Sequence, residues 1–131
     1  MQNYRYCAID PHFLLQSAGD DLDLFRELST MFVRLAEPVL ARLEMAIQEG
    51  NDTATCFESH SLKGSTALIG AVELSALLSQ IEHLARSART DLVSPCLPEL
   101  RRLFDLAIGE VRFSISHFDG QPDADAEQAA P

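Results

Sequence analysis

Periodicity is the feature that most constrains this chain. Apolar residues recur every three or four positions through most of its length, and no stretch alternates convincingly with period two. A spacing of three and four puts side chains on one face of a helix, whereas a half-buried strand needs strict alternation. Leu22, Phe25, Leu28, Phe32 and Leu35 form one stripe, and Val39, Leu40, Leu43, Ala46 and Ile47 resume it beyond Pro38. A proline inside a helix kinks or breaks it, so the pattern predicts either one kinked helix or two abutting ones before Gly50. Leu74, Leu77, Leu78, Ile81, Leu84 and Ala85 give another stripe, in a helix running to about Arg89. Leu97, Leu100, Phe104, Ala107, Val111, Ile115 and Phe118 give the last. The chain reads as all-α.

Helix boundaries are written in the residues between the stripes. Asp10-Pro11 is a start signal, with Asp as N-cap and Pro where its missing N–H is harmless. A short helix from Pro11 to about Ala18 should stop at Gly19, and Asp20, Asp21 and Asp23 favour the next N-terminus through the helix dipole. Gly50-Asn51-Asp52 is a stop and a restart, to which Thr55 and Glu58 offer a capping box. Asp91 to Pro98 reads as a connection into the last helix. Four long amphipathic helices with short links pack most simply as an antiparallel up-down four-helix bundle, with the short N-terminal helix capping one end. The bundle domain should span residues 1–118. Residues 119–131 hold no large apolar residue and read as a disordered acidic tail.

Composition narrows the partners. At 131 residues the chain is one domain able to bury a core without staples. Its net charge of −10 makes nucleic acid an unexpected partner, because phosphate contacts need basic patches. No apolar run approaches the ~20 residues of a membrane span, and Met1 to Asp10 has no signal-peptide pattern. Cys7, Cys56 and Cys96 are odd in number and far apart, which argues against a disulfide framework and fits a reducing cytoplasm.

Between Gly50 and Gly70 lies the stretch that asks for a function: His60-Ser61-Leu62-Lys63-Gly64-Ser65. A glycine inside a helix costs roughly 1 kcal/mol against alanine, so Gly64, one turn after a histidine, needs a reason. Close approach of another surface beside His60 supplies one. Lys63 is the only lysine in the chain, the other nine basic residues being arginines, and it lies three residues from His60. On a helical wheel His60, Lys63, Gly64 and Ala67 form one stripe. Phe57, Leu68, Ala54, Ser65, Ile69 and Leu62 spread over an apolar or small arc that should be buried, with Glu58 misplaced inside it. His60 then sits at the margin of the core, with its imidazole reaching solvent. The link at Gly70-Ala71 makes this helix and the next neighbours. Positions equidistant from that link face each other, which brings Glu82 level with His60. A carboxylate there would hold one ring nitrogen and leave the other outward.

These residues resemble the histidine-containing phosphotransfer (HPt) domain of two-component phosphorelays. Its string of His-x-Leu-Lys-Gly-Ser/Ala, then an apolar residue and Gly, then Leu and a Leu-x-Glu-type pair, is matched by His60, Leu62, Lys63, Gly64, Ser65, Ile69, Gly70, Leu74 and Ile81-Glu82. The resemblance implies a phosphocarrier: His60 takes a phosphoryl group from an aspartyl phosphate on a receiver domain and passes it to another. It implies Lys63 near the phosphoryl oxygens, Gly64 as room for the receiver, Glu82 on the imidazole, and Arg86 as a further polar position of the site. No P-loop, kinase Gly-rich loop or carboxylate cluster suited to Mg²⁺ occurs in the sequence. Kinase activity is therefore not expected, no cofactor is expected on this chain, and Mg²⁺ should come with the receiver. The expected partners are receiver domains of hybrid sensor kinases and response regulators. The carrier should be free-standing, cytoplasmic and monomeric.

Other readings use the same residues differently. An acidic helical adaptor would bind a signalling partner without carrying phosphate. A metal-binding bundle is the third reading, and His83 beside Glu82 invites it. The chain, however, lacks the paired Glu-x-x-His or His-x-x-x-His spacing such sites use. His12 and His117, near the chain ends, receive no role.

Overall fold

The computed structural model describes residues 4–121. Five helices follow one another: α1 (Pro11–Ser17), α2 (Leu22–Gln48), α3 (Asp52–Leu68), α4 (Val72–Arg86) and α5 (Leu97–His117). Between α4 and α5 the chain makes two 3₁₀ turns, Thr90–Leu92 and Ser94–Cys96. No strand occurs among the described residues. Helix α3 packs most extensively on α4 and next on α2, while α5 closes the bundle against α2 and α4. Helix α1 touches α2 and α3, capping the end that holds the α3–α4 turn. The expected up-down bundle is the fold; of the tail expected at 119–131, residues 122–131 lie outside the described residues.

The caps follow the sequence closely. Asp10 accepts the His12 backbone N–H at 3.1 Å, Asp21 that of Leu24 at 3.1 Å, and Asn51 that of Ala54 at 3.0 Å. Asn51 caps α3, so the Thr55–Glu58 capping box does not form; Thr55 lies inside the helix and is fully buried. Glu58 meets Arg42 of α2 at 3.2 Å instead. Gly70 ends the α3–α4 turn with φ of +72°, a region that L side chains avoid. A Cβ there would also stand 2.6 Å from Asp10 Cβ. Asp10 reaches this position because its N–H donates to the Ile69 carbonyl at 3.0 Å.

Helix α2 is one helix through Pro38, one of the two expected alternatives, and three other expectations are corrected. Pro38 is exposed, and Ala36 and Leu40 on either side are buried, so packing holds the helix across the lost hydrogen bond. Helix α4 stops at Arg86, three residues short of Arg89. Most consequential is α3, whose buried residues are Thr55, Ser59, Leu62 and Thr66, while Phe57 stays 69% exposed and Leu68 41%. Its buried face is turned by roughly 90° from the apolar arc of the wheel. Two of the three buried hydroxyls are satisfied by the helix itself, while Thr55 Oγ1 has no hydrogen-bond partner among the described residues. Ser59 Oγ donates to the Thr55 carbonyl at 2.7 Å, and Thr66 Oγ1 to the Lys63 carbonyl at 3.1 Å. Leu35 of α2, counted in the core stripe, is likewise 56% exposed.

One tie joins the segment before α1 to α5. The carboxylate of Glu110 in α5 accepts the backbone N–H groups of Cys7 (3.0 Å), Ala8 (2.7 Å) and Ile9 (3.2 Å), and the Tyr4 hydroxyl at 2.7 Å. Residues 4–9 are thereby strapped across α5, with Ile9 in the core.

Candidate functional site

Turning α3 this way puts His60 beside α4. Its Nδ1 lies 3.0 Å from Glu82 Oε2, while its side chain remains 69% exposed. Glu82 is 4% exposed, a carboxylate among core residues Leu78, Ile81 and Ala85. It tolerates that burial because three donors surround it. Lys63 Nζ meets Oε1 at 2.8 Å, and Arg86 Nη2, one turn further along α4, meets Oε2 at 2.7 Å. The Lys63 hydrogen bond, together with those from Arg86 and His60, overcomes the opposing effect of burial and holds the Glu82 carboxyl down at about 2, from an ordinary 4.5. Glu82 is thus an anion at any physiological pH.

That charge fixes the tautomer. An ionised carboxylate only accepts, so Nδ1 carries the hydrogen and donates it. The lone pair of the neutral ring is then on Nε2, the nitrogen not engaged with Glu82. An oriented imidazole with a free Nε2 is a nucleophile, and two cations lie against its supporting carboxylate. The arrangement suits an incoming anion.

Of the five residues singled out in the sequence, the structure brings His60, Lys63, Glu82 and Arg86 into one hydrogen-bonded cluster. Lys63 rests on Glu82 and is 31% exposed. Gly64 lies on the exposed side of α3, and a Cβ built on it would meet nothing within 4 Å. Nothing inside the molecule requires a glycine there. The sequence reading missed the cleft beside the ring, about 570 Å³, lined by Asp52, Thr53, Cys56, Phe57 and Arg86 along with His60 and Glu82. Cys56 and Phe57 stand one turn before His60, and that spacing was the available signal. Glu110 was also missed, although it falls in the buried stripe, three residues after Ala107 and one before Val111.

The profile of a protein family described as the Hpt domain matches residues 27–110. The chain belongs to that family. It is therefore a phosphocarrier of phosphorelays, a transfer intermediate without kinase activity of its own, whose partners are receiver domains. Among solved structures, histidine-containing phosphotransfer protein B from Pseudomonas aeruginosa PAO1 has a similar fold. The TM-score is 0.78 at 23% identity, covering 88% of this chain and 100% of that one. No curated protein matched.

Proposed function

We propose that His60 is the phosphoacceptor of this carrier, with Nε2 as the attacking atom. The observation that carries the proposal is the hydrogen bond from Nδ1 to buried, ionised Glu82 under an otherwise exposed ring. Glu82 orients the ring and stabilises the positive charge that grows on it as the N–P bond forms. Lys63 and Arg86 are the cations within reach of the phosphoryl oxygens. The carboxylate beside the ring, Glu82, is already engaged by three donors, and Asp52 along the cleft accepts from Thr90; neither offers much to a cation, so Mg²⁺ is assigned to the receiver. The reaction then needs mainly positioning and charge neutralisation from its two surfaces.

The receiver approaches over Gly64. Beyond that open position lies an apolar groove of about 330 Å³ between α2 and α3, lined in part by Met31, Leu35, Ser61, Ser65 and Leu68. Its exposed leucines and methionine match what a docking face needs. The donors and acceptors are receivers of hybrid sensor kinases and of response regulators. The carrier acts as a cytoplasmic monomer, away from nucleic acid and membrane. Its three unpaired cysteines fit a reducing compartment, and no helix among the described residues is long and apolar enough to cross a membrane.

The deciding experiment is phosphoryl transfer from a phosphorylated receiver to the full chain and to His60→Gln. Acid-labile, base-stable labelling should appear on the first and vanish from the second, with helicity unchanged. Label retained on the variant would move the site elsewhere.

A further inference from the structure

We propose that two cations on α2, Arg26 and Arg34, select which receiver this carrier serves, favouring one whose docking face sets carboxylates beside an apolar patch. The inference rests on the receiver docking across α2 and α3, and it adds the chemistry that tells one receiver from another. Met31 places the two arginines. It lines the apolar groove between α2 and α3, and it also lines a second hollow, of about 400 Å³, with Arg26, Glu27, Thr30 and Arg34. At about 100° per residue, Leu28 and Leu35 lie on one side of Met31, towards the groove. Arg34, Thr30 and Arg26 lie successively further round on the other. The cations thus border the groove along the edge away from α3, with roughly 12 Å of helix between them.

Their pairing points outward. The chain has 20 acidic residues against 10 lysines and arginines, so most arginines find a carboxylate. Arg42, Arg86, Arg89, Arg101 and Arg102 each meet one at 3.2 Å or less. Arg34 meets none among the described residues. Glu37, one turn further on, reaches Arg101 of α5 at 3.6 Å instead. Arg26 has only Asp23, at 3.7 Å, a side chain 96% exposed and so largely left to water. Glu27 is the opposing charge in the hollow, and two guanidiniums outnumber it. On a chain of net charge −10 this is a local reversal of sign, next to the apolar groove. A guanidinium presents a planar fork that matches a carboxylate. Charges at the rim of an interface act on encounter rate and partner choice more than on raw affinity. The apolar groove accepts any receiver with a complementary patch; the two arginines discriminate among them.

The test compares Arg34→Glu with Arg112→Glu in the full chain. Arg112 is exposed on α5, which packs on α2 and α4 and so lies diagonally across the bundle from α3. Both variants change the net charge equally, and only the place of the change differs. Transfer is measured from a panel of phosphorylated receiver domains at rising salt. For the receiver that the wild type serves fastest, Arg34→Glu should raise KM roughly five- to twenty-fold at low salt and leave kcat unchanged. The fall of kcat/KM with salt should flatten or reverse, and Arg34→Lys should restore most of it. Arg112→Glu should leave KM within about twofold, since charges further than a Debye length from the contact are screened. Across the panel, the receivers served fastest should be those most slowed by Arg34→Glu. Equal effects from the two charge reversals, or none from either, would overturn the inference and leave the phosphocarrier standing. So would unchanged transfer together with a dimer that Arg34→Glu breaks, which would give the arginines to a second copy of the chain. Phosphoramidate, a small N-phosphate that phosphorylates accessible imidazoles without a receiver, reads the site apart from docking and should load His60 alike in all these proteins. Loading of His12, His83 or His117 and never His60 would overturn both readings.

Discussion

Gly64→Ala separates what the fold needs from what the partner needs. The residue lies inside α3 with ordinary helical backbone, and a methyl group there would touch nothing within 4 Å. Alanine should therefore stabilise the isolated protein by about 0.8–1 kcal/mol through helix propensity alone. For a domain of this size that raises Tm by about 3–5 °C and the urea midpoint by roughly 0.5 M. At a tight interface the same methyl overpacks, at a cost of about 1–3 kcal/mol, so kcat/KM for transfer from a receiver should fall roughly five- to 150-fold. Gly109→Ala is the internal control, since this glycine also sits inside a helix with open space around it. It should show a like stability gain with transfer unchanged. Thermal and urea unfolding beside transfer kinetics read both halves. A destabilised Gly64→Ala would mean that the glycine serves internal packing, and a stabilised one with normal transfer would refute the close approach of the receiver.

Glu82 should also shape the acid limb of stability. Its carboxyl titrates near 4.5 unfolded and at about 2 folded. The stabilisation is fully present above about pH 4.5 and lost as pH falls towards 2. With partly exposed Lys63 and Arg86 screened by water, it should amount to on the order of 1–2 kcal/mol, and urea unfolding of Glu82→Gln should show a flatter pH dependence across that window. Gly70→Ala combines a φ of +72° with a Cβ 2.6 Å from that of Asp10. It should lose about 2–3 kcal/mol, and a Tm within a degree of wild type would contradict the crowding at that turn. Lys63→Ala should slow transfer or shorten the phosphohistidine lifetime; unchanged kinetics would make the lysine a bystander.

Much of this was legible in sequence because helical period, caps and link glycines are local. Asp10-Pro11, Asn51 and Gly70 act where the sequence put them. The facing of His60 and Glu82 followed from a short link and counting. What was not legible is rotational. Apolarity placed Phe57 and Leu68 inside α3, yet Thr55, Ser59 and Thr66 are there instead; the Ser59 and Thr66 hydroxyls bond back to the helix, whereas the Thr55 hydroxyl is buried without a partner among the described residues. The exposed apolar residues then become available to a partner. Nor could counting show that Lys63 and Arg86 converge on one carboxylate oxygen pair, since that depends on side-chain reach across two helices.

The strap on Glu110 has a consequence for how the chain is made. Helices α2 to α4 are joined by short turns and can pair as they leave the ribosome. Residues 4–9 must wait, because the carboxylate that orders their amides lies more than a hundred positions later. Residues 4–9 are thus ordered only once α5 is in place. Until α5 arrives, Ile9 and the aromatic side chains gathered around Phe118 have no core to enter. Completion of the fold is timed by the arrival of its final helix, and a nascent chain lacking α5 would hold a paired α3–α4 hairpin with its apolar side still open.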